Sequence, residues 1–160
     1  MATKNDYYLY PAMLFAEPHP HRVTTVLGSC IAVCLFDPLR RMGGINHYML
    51  PLWNGEGLPT PRYGNVAIDL LVERLEGVGC LPSRLQAKLF GGAAMWESGS
   101  SFVSVGERNI ELALHMLDRY GIPVVGRDTG GSISRKIIYD TGTGEVLLRR
   151  SVSRTPEHGA

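Results

Sequence analysis

The sequence predicts an α/β protein, a sandwich of mixed or antiparallel β-sheet with two principal helices packed on it. Three observations predict this. Short apolar runs bounded by glycine and proline turns recur along the chain and outnumber helical segments about two to one. Apolar residues at helical spacing occur in two stretches only, 64–77 and 104–120. The strands do not alternate regularly with these helices, as a doubly wound parallel sheet requires.

Each element has a local reason. Ala12 to Ala16 is a short apolar run ended by EPHPH, hence a brief strand and a turn. Ser29 to Phe36, SCIAVCLF, contains β-branched Ile31 and Val33 between Gly28 and Asp37-Pro38, as a buried strand does. Gly43 to Leu50 follows the turn DPLRRM and should pair with it as an antiparallel hairpin. Val66, Leu70, Leu71, Leu75 and Val78 mark one face of a first helix, stopped by Gly77 and Gly79. Arg84 to Phe90 reads as a strand ending at Gly91-Gly92. Ser104-Val105-Gly106-Glu107 is a capping-box start for a second helix, whose face is Ile110, Leu114 and Leu117 and whose stop is Gly121. Ile122 to Val125, Ile133 to Tyr139 and Glu145 to Arg149 complete the strands, separated by the glycine turns DTGG and DTGTGE. Residues 1–150 therefore form one domain, and 151–160 a polar tail.

Composition excludes several classes. The chain has 160 residues, 44% hydrophobic and 19% charged, with a net charge of +1. That field is too weak to hold a nucleic acid, and no local Lys/Arg cluster compensates. The longest apolar run, Cys30 to Phe36, falls far short of the roughly 20 residues of a membrane helix. MATKNDYYLYP carries no signal-peptide h-region, so a cytoplasmic location without membrane insertion is expected. Three cysteines, Cys30, Cys34 and Cys80, make neither a disulfide framework nor a zinc pattern, so no metal and no cofactor is expected. The glycine loops at 90–92 and 128–131 read as turns needing positive φ rather than as phosphate cradles.

The hairpin brings chemistry together. With Phe36 opposite Gly43, Cys30 faces Met49 and His47 faces Ala32. Cys30 and His47 are then diagonal neighbours on one face of the sheet, roughly 7–8 Å apart between backbones. A thiol beside an imidazole is a nucleophile: an adjacent His⁺ lowers the thiol pKa and later protonates the leaving group. Backbone N–H groups near Ser29 and Cys30, after the flexible Leu27-Gly28-Ser29, are candidate oxyanion donors. The alternative reading makes Cys30 and Cys34 two small core hydrophobes on the same strand face. His19 and His21 fall in a Pro-rich turn, His115 on a helix surface and His158 in the tail.

Thr24-Thr25-Val26-Leu27-Gly28-Ser29-Cys30, continued by IAVCLFDP and by GGINHYMLP at 43–51, resembles the CheD family of chemoreceptor glutamine deamidases. Lys88 to Met95, Val105 to Asn109 and Asp128 to Gly131 match the same family, so the resemblance spans about residues 12–150. It implies a fold related to bacterial toxin deamidases and hydrolysis of receptor glutamines to glutamates; because a receptor methyl ester is chemically close to an amide, some esterase activity is expected beside it. It implies a Cys nucleophile at Cys30 and a His partner at His47. A threonine six residues before the cysteine assists in the family; Thr24 stands there, with Thr25 adjacent. Two departures bear on loop geometry: Val26 where many relatives have glycine, and Ser134 before Arg135.

Chemoreceptor cytoplasmic helices and a CheC-like phosphatase are the partners implied. A non-catalytic docking module acting on either is the competing reading. Met95, Trp96 and Phe102, in GGAAMWESGSSF, are the candidate contact residues.

Overall fold

The computed structural model describes residues 5–95 and 104–151. Two sheets stack face to face. The four-stranded sheet has the order β1 (Asn5–Tyr8), β3 (His21–Leu27), β8 (Arg135–Asp140), β9 (Val146–Arg150). The five-stranded sheet has the order β2 (Met13–Ala16), β5 (Met42–His47), β4 (Ile31–Asp37), β6 (Gln86–Gly91), β7 (Val124–Thr129). β1–β3 and β6–β7 pair parallel and the remaining neighbours antiparallel, so both sheets are mixed. The α/β sandwich class is as the sequence predicts.

Helices α1 (Gly64–Gly77) and α2 (Val105–Tyr120) both pack on the five-stranded sheet, giving helix, sheet and sheet as three layers. Strand alternation sorts β4 between two cores. Ile31, Val33 and Leu35 face the helices with Leu71, Leu75 and Leu117; Ala32 and Cys34 face the other sheet with Val23, Leu27 and Ile137. The α1 stripe differs from the sequence expectation: Ala67, Ile68, Leu71, Val72 and Leu75 are buried, while Val66 and Leu70 are half-buried. α2 starts where expected, Ser104 Oγ accepting from Glu107 N at 3.1 Å, and Gly121 stops it in the left-handed region at φ 73°. Its buried face runs through Gly106, Asn109, Ala113 and Leu117 rather than Ile110 and Leu114.

The β4–β5 hairpin has the predicted register, Phe36 opposite Gly43 and Cys34 opposite Ile45. Asp37 closes its turn. The fully buried carboxylate accepts from Leu39 N at 2.9 Å and Arg40 N at 3.1 Å, and its carbonyl accepts from Arg41 N. Asp37→Ala should cost about 2 kcal/mol and lower Tm by roughly 4–8 °C. Turnover per folded molecule should be unchanged, because the turn lies at the end of the hairpin away from Cys30 and His47. A thermal melt paired with an activity assay checks both.

Candidate active site

β3 ends at Leu27 and β4 begins at Ile31, so Gly28, Ser29 and Cys30 carry the chain from one sheet to the other. Three successive carbonyls are pinned there. Gly28 O accepts from Ala93 N at 3.0 Å, Ser29 O from Asn109 Nδ2 at 2.9 Å and Cys30 O from Gly92 N at 2.8 Å. Gly91 approaches so closely that a β-carbon on it would collide with Cys30 O, and its φ of 103° suits glycine. The N–H groups of Ser29 and Cys30 have no hydrogen-bond partner among the described residues. The two cysteines of β4 and its leading edge are not equivalent: Cys34 is core, whereas Cys30 at the loop edge is half-buried.

His47 ends β5, and Tyr48 exchanges hydrogen bonds with Ile31 at 3.0 and 3.1 Å. That bridge puts His47 and Cys30 diagonal on the sheet face turned toward the second sheet, as the hairpin register predicts. Between the bridge and Cys34 the ladder opens: Val33 N bonds to the Asn46 side chain, Oδ1 at 3.0 Å, instead of to backbone. β2 covers the other edge of His47, whose carbonyl accepts from Ala12 N at 2.8 Å.

The threonine in contact with His47 is Thr25, not Thr24. Val23, Thr25 and Leu27 point inward from β3, and Thr25 Oγ1 lies 2.7 Å from His47 Nδ1. Thr24, by the same alternation, points outward to a surface hollow with Tyr8, Val26 and Lys136. Thr25 Oγ1 also donates to Leu9 O at 2.8 Å. A hydroxyl has one proton, so with that proton on Leu9 O the oxygen accepts from His47 Nδ1–H. The imidazole tautomer follows. Nε2 is the bare lone pair, and it is buried without a protein partner among the described residues.

Burial sets the protonation state. It pushes the His47 imidazole down from 6.5 to about 4 and the Cys30 thiol up from its ordinary value. The resting pair at neutral pH is therefore a thiol and a neutral imidazole. Among the described residues no carboxylate bonds to His47 to hold a charge there.

A pH dependence follows. Above pH 6.5 the imidazole is neutral in folded and unfolded chains alike. Between 6.5 and about 4 only the unfolded chain takes the proton, so stability falls as pH falls, by roughly 3 kcal/mol in all. Urea unfolding between pH 7 and 4 should show this slope, and His47→Gln should flatten it. The acid limb of kcat/KM should lie near pH 4 to 5; a limb near 6.5 would mean a solvated histidine.

Of the other predicted residues, Met95 lies against the nucleophile loop: a β-carbon on Gly28 would stand 3.4 Å from its Sδ, and the side chain is partly exposed. Trp96 and Phe102 lie outside the described residues, as does most of the predicted tail. Sequence reasoning gave no role to Leu9, Asn46 or Asn109. Leu9 and Asn109 were hidden because their contacts join distant segments; Asn46 adjoins His47, but its bond to Val33 N depends on the opening of the β4–β5 ladder, which no local pattern marks.

An imidazole of fixed tautomer lies diagonal on one sheet face to a half-buried thiol, whose loop carries two amides without partners among the described residues; this is a candidate Cys–His site of the acyl-transfer class on a two-sheet scaffold. The chain belongs to the CheD family: the family described as CheD chemotactic sensory transduction matches residues 49–150. Similar proteins extend the likeness over most of the chain. The probable chemoreceptor glutamine deamidase CheD of Trichlorobacter lovleyi is 49% identical over 144 residues, covering 90% of this chain and 89% of that one. Proteins of the same description from Sulfurimonas denitrificans and Rhodospirillum rubrum are 45% and 44% identical. Each covers 89% of this chain, at 92% and 80% of its own length respectively.

Proposed function

We propose that this chain is a chemoreceptor glutamine deamidase in which Cys30 is the nucleophile, His47 the proton carrier and Thr25 the residue that orients it. One observation carries the assignment of roles: Thr25 fixes Nδ1–H, leaving the His47 Nε2 lone pair on the face that carries Cys30. The comparisons supply the substrate, through relatives whose names give receptor glutamine as the target.

The steps balance. His47 Nε2 takes the Cys30 thiol proton as sulfur attacks the carboxamide carbon of a receptor glutamine, forming a tetrahedral oxyanion. The Ser29 and Cys30 amides, without partners among the described residues, are the donors proposed for that oxygen. His47 Nε2–H then protonates the departing nitrogen, releasing ammonia and leaving a thioester. Water attacks the thioester while Nε2 accepts its proton; glutamate leaves and the thiol is restored. No metal or organic cofactor enters these steps. A receptor methyl ester presents the same carbonyl, so slow ester hydrolysis is part of the proposal.

Receptor docking is assigned to the surface around the nucleophile loop, where the partly exposed Met95 stands over Gly28. A CheC-like phosphatase is proposed to compete for that surface, which retains the docking role within an enzyme. We place the protein in the cytoplasm, where receptor helices are reached; among the described residues no helix is long and apolar enough to cross a membrane.

The test is incubation of a purified receptor cytoplasmic fragment with the protein in heavy-oxygen water, followed by peptide mass spectrometry. Selected glutamines should become glutamates carrying one heavy oxygen. Unchanged glutamine in every receptor of the same cell would overturn the proposal.

A further inference from the structure

Asn109, on the first turns of α2, is fully buried. Its Nδ2 donates to Ser29 O at 2.9 Å and to Met49 O at 3.0 Å. Ser29 precedes the nucleophile, and Met49 follows His47 by two residues. Its own backbone carbonyl accepts from the hydroxyl of Tyr48, the residue next to His47. Both amide protons and the main chain of this one residue are thus committed to the two segments that carry the reacting groups. Those segments are held together by backbone only as far as the Ile31–Tyr48 bridge, beyond which β4 and β5 have no further ladder. The amide spans that gap.

Packing alone does not account for this side chain. Asn109 Oδ1 is buried with no partner among the described residues, an unfavourable state that a leucine of similar size would remove. What a leucine lacks is the pair of donors.

We infer that Asn109 is a positioning residue of the reaction, whose amide sets the separation of Cys30 from His47 by tying Ser29 and Met49 to α2. The inference rests on the deamidase reading for its turnover assay but not for its geometry. A misplacement of about 1 Å between reacting groups can cost on the order of 100-fold in rate.

The test compares wild type with Asn109→Leu by receptor deamidation and by alkylation of Cys30 with iodoacetamide across pH. Cys34 and Cys80 are 2% and 1% exposed, so the folded protein reports Cys30. Asn109→Leu should fold with a Tm a few degrees below wild type, because Ser29 O and Met49 O lose their donor, and per folded molecule it should lose about tenfold or more in kcat and keep KM within about twofold. Its alkylation profile should coincide with that of His47→Gln, because the thiol no longer meets the imidazole. A wild-type alkylation profile overturns the inference, as does a lower Tm with kcat per folded molecule intact.

If Asn109→Leu does not fold, Tyr48→Phe loosens the same clamp from the other side. It should move the alkylation profile in the same direction by a smaller amount; an unmoved profile again overturns the inference. Alkylation needs no receptor, so absence of deamidation by wild type would remove the functional reading and leave the positioning result standing.

Discussion

Cys30→Ala should abolish deamidation, with kcat lowered on the order of 10⁴-fold or more, while the protein folds and still binds receptor. The expectation rests on the difference between Cys30 and Cys34. Cys34 is 2% exposed among core residues and desolvation pushes its thiol far above the usual range, so it is a packing group. Cys30 is half-buried at the edge of the loop, beside two amides without partners among the described residues and on the same face as a bare imidazole nitrogen. Removing one sulfur from a half-buried position leaves no large cavity, so Tm should move by little. Cys30→Ser should rescue poorly, since a neutral imidazole pushed down to about 4 is too weak a base for a hydroxyl. Conversion of the same receptor glutamines by Cys30→Ala would remove the thioester route, and with it the roles given to His47 and Thr25.

Thr25→Val should lower kcat about 100-fold with little change in KM, whereas Thr24→Val should stay within about twofold of wild type. Valine keeps the shape of threonine but offers nothing to His47 Nδ1–H and returns no proton to Leu9 O. Without that acceptor nothing holds the proton on Nδ1, so the tautomer with the proton on Nε2, which cannot act as the base, becomes populated and the ring loses its fixed orientation. Thr25→Ser keeps the hydroxyl and should retain most activity. Thr24 faces the opposite side of the four-stranded sheet, in the hollow with Tyr8 and Lys136, where a methyl replaces its hydroxyl at the solvent boundary. Equal losses from the two valine variants would sink the Thr25 assignment. Binding measured separately, by receptor titration with Cys30→Ala as background, separates a tautomer effect from lost affinity.

Both expectations follow from how the site is assembled. The chain from Leu9 to Met13 crosses between the sheets over the histidine: Leu9 O takes the Thr25 proton, Ala12 N donates to His47 O, and Met13 pairs with His47. Ala12 adopts φ 68°, uncommon for a residue with a side chain, at the point where this crossing turns into β2. The imidazole is therefore fixed from β3 through Thr25 and from β2 through its own backbone. Its remaining atom, Nε2, is the one left for chemistry.

The sequence by itself determined the hairpin and hence the pairing of Cys30 with His47. Register in an antiparallel hairpin is local: the turn DPLRRM, with Asp37 bonded to Leu39 and Arg40, sets Phe36 against Gly43, and every later pair follows. It likewise determined the second helix, whose cap at Ser104 and stop at Gly121 are contacts within a few residues.

Only the tertiary structure decided which threonine serves the histidine. In VTTVL, apolar residues stand at both parities, Val23 and Leu27 on one and Val26 on the other, so alternation alone does not choose a face. β1 and β3 were not legible as strands for the same reason, and because β1 is polar and exposed along its whole length. Pairing of β3 with β8, more than a hundred residues away, turned Thr25 inward. The same holds for Asn109: its two acceptors lie 80 and 60 residues distant, and no local period marks a buried amide on a helix. Local chemistry fixed the reacting pair, and long-range packing fixed the groups that orient it.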